Sequence, residues 1–553
     1  MKHINQLNDT NIMLHFNFLK TMVFHIPAIY PDHIGRGLGR KIQLKPARKS
    51  PKGDLELQLY CESASLKNVT LFNSRQQRTL TFIFLCLLTT GSLLAQQREL
   101  NGRMTCNGNG IANVVVSDGI SCTRTDAAGN YKLSSNKAAF IYISAPAGYL
   151  TRVENSIPVF YQSIDTNTGT YNFELTKNTK DDTKHVFLAQ ADVQLTDNDC
   201  LETYKKMLPD CVELIKQESK SKDVFSVDCG DIVGDTPALY PGYIKAASAL
   251  NIPVYRAIGN HDMDYYGRTF ETSYKTFEKY FGPTYYSFNK GKAHYIILND
   301  NFFLGRDYFY MGYIDEKTFH WLEQDLSYVA KGSPVFVVMH IPSQLQEKQV
   351  PFEYNYSAIA DQMVNAGAFH EILKPYQAHI ISGHMHYNRN LVYSSGLMEH
   401  ITGAVCGIWW RGDIGLDGTP RGYGVYEVDG TQVKWYYKSA GYAKEYQVRT
   451  YPVGASSQYP NDVIANVWNW DKNWKVEWIE DGVNKGEMIH YTGNDPKAEA
   501  LCADREKVKY DWITINPTDH LFRATPQKKG AKIEIKVTDR FGQVYLNKII
   551  DVR

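Results

Sequence analysis

The chain has 553 residues, about three or four domains at roughly 100–200 residues each and more than a single hydrophobic core accommodates. Its 43% hydrophobic and 22% charged residues exclude a disordered or collagen-like polymer. A net charge of +1 excludes nucleic-acid binding driven by bulk charge. The basic surplus sits in residues 1–97, so the remainder is mildly acidic and must hold any anion at a local site.

Residues 1–74 show no clear hydrophobic period and contain the breakers Pro31, Pro46 and Pro51, and they read as a non-native upstream extension. Residues 80–95 (LTFIFLCLLTTGSLLA) follow Arg75 and Arg78 and end on Ala, the layout of a signal peptide over 75–95. The run is shorter than the ~20 apolar residues of a membrane span, so cleavage after Ala95 is expected to leave no transmembrane anchor. No Met lies between Met22 and Met104, so translation is expected to start at a non-Met codon such as that of Leu66, Val69 or Leu71. The expected location is outside the cytoplasm, periplasmic or secreted, where disulfides form. Cys106 and Cys122 are a candidate pair, and the odd number of cysteines left after Cys61 and Cys86 implies a free thiol.

Residues 98–178 carry short β patterns, with strands expected at 114–116 and 131–133 and turns at Asp118-Gly119 and Gly129-Asn130. They read as a small β-sandwich, joined through the polar stretch NTKDDTK (178–184) to a region of different character. Over 184–438, apolar runs alternate with helical stretches: HVFLAQ (185–190), VFSVD (224–228), VYRAIG (254–259), HYIILND (294–300), VFVVMH (335–340) and AHIISGH (378–384). Helices are expected near 201–218, 269–280, 316–330 and 361–373, which gives α/β layering. Beyond 440 the chain turns β-like again, with strands expected at KVEWIE (475–480) and AKIEIKVTD (531–539), and reads as a second small β-sandwich-like domain.

In layered α/β folds, binding groups gather beyond the carboxyl ends of the strands. Here Asp192 follows the first run, Asp231 the second (GDIVGD), and Asn260, His261 and Asp262 the third, while His340 ends VFVVMH and His384 and His386 form GHMH. A lone histidine at a strand end is more often structural than ligating, and a lone Gly-Asp is usually a turn. The coincidence of carboxylates, an amide and three imidazoles on one rim outweighs those readings. His370, His379, His400 and His520 have no comparable context. The donor mixture suits borderline divalent metals such as Zn, Fe or Mn without thiolate. Two ions ~3.5–4 Å apart need a bridging carboxylate and polarise both ends of a phosphoryl displacement.

The series Asp192…Gly230-Asp231…Gly259-Asn260-His261-Asp262…His340…Gly383-His384-Met385-His386 resembles the calcineurin-like metallophosphoesterase superfamily over about 185–400. The flanking β-domains resemble those of an exported bacterial branch. The resemblance implies a four-layer α/β/β/α core flanked by two small all-β sandwich domains. It implies two divalent metal ions (Mn, Fe or Zn), with Asp192 and His386 on the first, Asp231 bridging, and Asn260, His340 and His384 on the second. A water or hydroxide held by the metals would attack phosphorus, His261 would serve the leaving side, and Asp262 would orient His261. Where the family usually has Asp-x-His, this chain has Asp192-Val193-Gln194, so Gln194 is a weaker neutral ligand. In GAVCGIWWRGD (403–413), Trp409 and Arg411 are candidate substrate-binding residues, unless the tryptophans seal the C-terminal domain. Tyr265 and Tyr266 share that ambiguity.

The function implied is an exported dinuclear-metal phosphoesterase acting on a phosphate mono- or diester. A non-catalytic envelope- or glycan-binding protein on the same scaffold, and a nucleotide or nucleotide-sugar hydrolase, are the alternatives. No nucleic acid is expected as a structural partner.

Overall fold

The computed structural model describes residues 98–549 except 136–137, 166–168, 306–308, 349–350, 352, 509 and 511. The upstream extension and the signal peptide therefore lie outside the described residues. No helix among those described is long and apolar enough to cross a membrane.

In the central domain, β1 (Lys184–Gln190), β2 (Asp223–Cys229) and β3 (Val254–Ala257) run parallel. Two later antiparallel strands complete a five-stranded sheet in the order β3-β2-β1-β10-β11, with β10 at Gly422–Asp429 and β11 at Gln432–Ser439. The second sheet contains β4 (Tyr286–Lys290), β5 (Ala293–Ile297), β6 (Pro334–Val338), β7 (Gln377–Ser382), β8 (Arg389–Ser394) and β9 (Leu397–Ile401). Its order is β4-β5-β6-β7-β9-β8, parallel at the centre and antiparallel at both edges.

The period of two in each strand builds the layers. In β1, Phe187 and Ala189 join the core between the sheets, whereas Val186 and Leu188 join a separate core under the helices. Between the sheets, Phe187 stacks on Tyr426 at 4.7 Å and meets Phe336 edge-on at 5.1 Å. Each such fully buried side chain contributes about 1.5–3 kcal/mol. Outside the first sheet lie α1 (Asn198–Glu218) and α2 (Tyr240–Ala247), with Tyr204, Leu208, Cys211 and Ile215 of α1 turned inward. Asp197 starts α1 by accepting the Cys200 N–H at 2.8 Å. Outside the second sheet lie α3 (Glu316–Leu326) and α4 (Ala366–Leu373), through Trp321, Leu322, Phe369 and Leu373. This is the four-layer α/β/β/α arrangement.

Both flanking domains are pairs of four-stranded sheets. The first abuts the core where Ser287 donates to Ser144 at 2.8 Å and the Cys122 N–H donates to Gln324 Oε1 at 3.0 Å. In the second, Val476 and Trp478 alternate inward along Lys475–Glu480, as the pattern requires. Buried Asp417 ties it to the core by accepting the Asn388 N–H at 2.8 Å and meeting His520 at 3.0 Å.

The expected Cys106–Cys122 bridge is not formed, and both thiols are free. Cys106 ends a strand of one sheet, while Cys122 begins a strand of the other and faces α3, where burial and then Asp325 push its thiol up to about 12. The expected helix at 269–280 is two short ones, Phe270–Ser273 and Lys275–Phe281, with the break at Tyr274.

Candidate metal centre

β3, β5, β6 and β7 stop two or three residues before their apolar runs end, and β1 and β2 stop before Asp192 and Asp231, so the polar groups fall beyond the strands. Asp192 (φ 53°), Gln194 (44°), Asp231 (51°), His384 (68°) and His386 (54°) all occupy the left-handed region. Such conformations cost a non-glycine residue about 1–3 kcal/mol each and persist where the surroundings enforce them. They also let both rings of His384-Met385-His386 turn to the same centre, which an extended strand forbids.

Glycines make the close approach possible. A Cβ on Gly230 would stand 2.7 Å from His340 Nδ1, one on Gly259 2.1 Å from Asp231 Oδ1, and one on Gly383 2.7 Å from Asp192 Oδ2. Each of the three blocks thus needs its glycine for packing.

Asp231 lies at the middle. Its Oδ1 is 3.3 Å from His340 Nε2, and its Oδ2 is 3.4 Å from the Gln194 amide nitrogen. On the Oδ1 side, His340 Nε2 is 2.9 Å from Asn260 Oδ1 and 3.2 Å from His384 Nδ1. The ligating atoms of Asp231, His340 and His384 all lie within 4.8 Å of one another. On the other side, His386 Nε2 is 3.6 Å from Asp192 Oδ1.

The hydrogen bonds of the rings show what the centre can hold. His340 Nδ1–H donates to the Cys229 carbonyl at 2.8 Å, and His386 Nδ1–H donates to the Gly407 carbonyl at 2.9 Å. Both Nε2 lone pairs therefore point inward, at carboxylate and amide oxygens that are acceptors too. Converging acceptors repel unless protons or a metal ion sit among them, and the Asp231, His340 and His384 cluster fits a divalent metal, with Asp192 and His386 as a second pair of donors. Burial pushes His340 down, but Asp231, Asp192 and Asp300 outweigh it and bring the ring up to about 10. Burial pushes Asp231 up, yet His340, His261 and His384 hold its carboxyl well below the usual range. Asp192, fully buried, is pushed up to about 8.

Gln194 turns its amide oxygen towards Cys406 Sγ at 3.8 Å and its nitrogen towards Asp231. It thus supports the Asp231 carboxylate as a donor, and an amide flip would present the oxygen instead.

His261 and Asp262 differ from expectation. The His261 backbone N–H donates to Asp231 Oδ1 at 2.9 Å, and its ring Nδ1 meets Asp235 Oδ1 at 2.9 Å. Asp262, assigned by resemblance to orient that ring, instead accepts the N–H groups of Gly259, Ile232 and Val233 and the Tyr240 hydroxyl, at 2.9–3.1 Å. Four local donors outcompete one ring, so Asp262 fixes the loops and Asp235 orients His261.

Trp409 and Arg411 are also placed otherwise. Trp409 stacks on the His386 ring at 4.2 Å and joins an apolar cluster with Leu501, Cys502, Val508 and Ile513 of the C-terminal domain. Arg411 lies over Tyr510 at 5.7 Å, and the Trp410 indole donates to the Val193 carbonyl at 2.9 Å. Sealing contacts to the C-terminal domain thus prevail over an open pocket wall. Sequence reasoning missed Asp235, Cys406 and Asp361, whose Oδ1 lies 3.8 Å from His384 Nε2. Only Asp235 had a signal, as the last residue of the GDIVGD block.

A two-sheet α/β core with carboxylates, imidazoles and an amide converging at its strand ends defines a metal-dependent hydrolase. Comparison with known families agrees: residues 98–178 match the N terminal of Calcineurin-like phosphoesterase, 185–388 Calcineurin-like phosphoesterase itself, and 399–545 its C terminal. The chain belongs to the calcineurin-like phosphoesterases, and it is a metal-dependent phosphoester hydrolase.

No curated protein matches the chain. Among solved structures it is similar to a dimetal phosphatase from Danio rerio, with 13% identity over 51% of this chain and 96% of that one and a TM-score of 0.29. A purple acid phosphatase from yellow lupin (Lupinus luteus) gives 12% identity, 60% and 67% coverage, and a TM-score of 0.33. A 5'-nucleotidase from Candida albicans gives 14%, 47% and 51%, and 0.28. The family assignment rests on the sequence matches, not on these distant likenesses.

Proposed function

We propose that the protein is an exported phosphoesterase with a dinuclear centre, hydrolysing a phosphate mono- or diester. The observation that carries this is the division of donors about Asp231. Gln194 meets its Oδ2 and His340 its Oδ1; Asn260 and His384 gather with His340, while Asp192 and His386 form a second pair 3.6 Å apart. When bound, two divalent ions supply Lewis-acid polarisation of the phosphoryl oxygens and activate a water at neutral pH. The chain's own groups do the rest. Asp231 holds the two halves together, while the Cys229 and Gly407 carbonyls fix the His340 and His386 rings in the tautomers that bind, and Asp361 Oδ1 lies 3.8 Å from His384 Nε2. His261, its Nδ1 held by Asp235, is the group that delivers a proton to the leaving oxygen.

The test uses chelator-free protein, with metals counted by mass spectrometry and hydrolysis followed on chromogenic mono- and diesters supplied with Mn, Zn or Fe. About two metals per chain and turnover lost in His384→Ala are expected. One metal or none, with no turnover, would favour a binding protein on this scaffold. The basic-flanked apolar run at 80–95 supports export. Amino-terminal sequencing of native protein should find a start near Gln96, and finding Met1 would overturn that.

A further inference from the structure

Beside His261 lies an open cavity of about 640 Å³ that none of the roles above uses, lined among others by Asp235, Asp264, Tyr265, Tyr266, Arg268 and Thr272. Its size falls within the range of small-molecule sites. Its position is set by chemistry: Asp235, in its wall, is the residue that holds the His261 ring at 2.9 Å, and His261 in turn holds Asp231. Asp235 thus belongs both to the support of His261 and to the cavity wall, so the cavity adjoins the side of the centre that His261 serves.

The wall is built rather than incidental. The Asp264 N–H donates to the Ser273 carbonyl at 2.5 Å, the Gly267 N–H to the Asp264 carbonyl at 2.7 Å, and the Thr276 N–H to Asp264 Oδ2 at 3.1 Å. A Cβ on Gly267 would stand 2.1 Å from Ser273 Oγ, so the turn is tightly closed against the next segment. That fixed turn presents two aromatic rings to solvent. Tyr266 is 93% exposed and Tyr265 45%, and their rings meet at 4.9 Å and 77°, forming a corner with two faces at nearly right angles.

A ring as exposed as that of Tyr266 gains free energy by covering another ring face. The polar complement narrows the ligand. Asp235 and Asp264 each commit one oxygen, to His261 and to Thr276, and each keeps a second as an acceptor. Arg268 adds a guanidinium and Thr272 a hydroxyl. An apolar guest would leave these groups unpaired, and an anionic guest would face two carboxylates against one guanidinium. A neutral ring bearing several hydroxyls satisfies both the aromatic corner and the mixed acceptors and donors.

We infer that this cavity is the leaving-group subsite and takes a hydroxylated ring, the sugar part shared by sugar phosphates and nucleotides. The inference rests on the phosphoesterase reading and names the substrate class of that same site.

The test compares kcat/KM of the metal-loaded full-length protein on glucose 6-phosphate, adenosine 5'-monophosphate and glycerol 3-phosphate, before and after Tyr266→Ala and Arg268→Ala. The expected result is that Tyr266→Ala lowers the ratio of ring ester to glycerol ester at least tenfold, mainly through KM. A preference for the hexose ester would name sugar phosphates as the source, and a preference for the nucleoside ester would name nucleotides. An unchanged ratio in both variants would overturn the inference while leaving the phosphoesterase intact. Should no ester be turned over, calorimetric binding of free glucose and adenosine decides. Binding weakened by Tyr266→Ala supports the subsite, and no binding of either overturns it.

Discussion

The strands β1 and β7 carry chemically similar residues at both ends in opposite surroundings. β1 opens near His185 and is followed by Asp192; β7 contains His379 and is followed by His384 and His386. At the opening ends the imidazoles are packing groups. His185 donates Nδ1–H to the Asp182 carbonyl at 2.8 Å and accepts from the Tyr295 hydroxyl at 2.5 Å, while His379 stacks on His400 at 5.3 Å. Burial pushes both His185 and His379 down to about 4. At the closing end of β7 left-handed turns bring His386 to Asp192 and His384 into the cluster with Asp231 and His340. A histidine here becomes a ligand through its carboxylate neighbours and its turn, not through the strand that bears it.

The sharpest way to break that contrast is to remove the carboxylate at the centre. Asp231→Asn should lose metal on both sides and lower kcat/KM by at least ~10³-fold, about 4 kcal/mol. His379→Gln, on the same sheet, should keep its full metal content by mass spectrometry. Loss of metal in both variants would show that the two ends are not independent.

The opening ends predict a pH effect on stability. The folded value of His185, about 4, lies below its unfolded value of ~6.5, so on acidification the unfolded chain takes the proton first. The neutral ring's contribution is therefore complete above about pH 6.5 and is lost as pH falls towards 4, by up to about 3 kcal/mol. Urea unfolding across that range should show His185→Gln with the shallower decline. Equal slopes would mean that His185 titrates alike in both states.

A smaller effect separates orientation from ligation. Asp235→Asn leaves all the ligands untouched but loosens the His261 ring, so kcat should fall about 10–100-fold with metal content unchanged. The acid limb of the pH–rate profile should shift as well, which a purely structural role of Asp235 would not produce.

The candidate ligands were readable because five strands end where carboxylate, amide and imidazole residues begin, and a strand's period of two is written in its side chains. Asp235, Asp361 and Cys406 were not, because their places depend on how loops fold back onto the rim. Asp361 reaches His384 from the turn after Tyr356–Ala360, which has no period to read. The role of Asp262 was misassigned for a related reason. Its neighbour in sequence is His261, but the donors of Ile232 and Val233 reach it through space, thirty residues upstream. The Cys106–Cys122 pairing failed because proximity within a small domain does not reveal which sheet each cysteine joins.

The last contrast lies within the candidate metal centre itself, between rings that meet their aromatic neighbours edge-on and one stacked flat on an aromatic face. His340 and His384 are positioned by the Cys229 carbonyl and Asp361. His386 has its carbonyl bond to Gly407 and, in addition, Trp409 stacked at 4.2 Å with 20° between the planes. Trp409 itself adopts φ 43° and is braced edge-on by Trp512 at 4.6 Å, so the C-terminal domain supports one ligand of one metal. Trp409→Ala should therefore weaken metal binding on the Asp192 side by about tenfold, the low end for groups that orient a ligand. Trp409→Phe, which preserves a stacking face, should restore most of it. Calorimetric titration of apo-protein with Mn or Zn would resolve the two sites. Equal weakening of both would instead make Trp409 a support for the whole rim, and the C-terminal domain a general brace rather than a selective one.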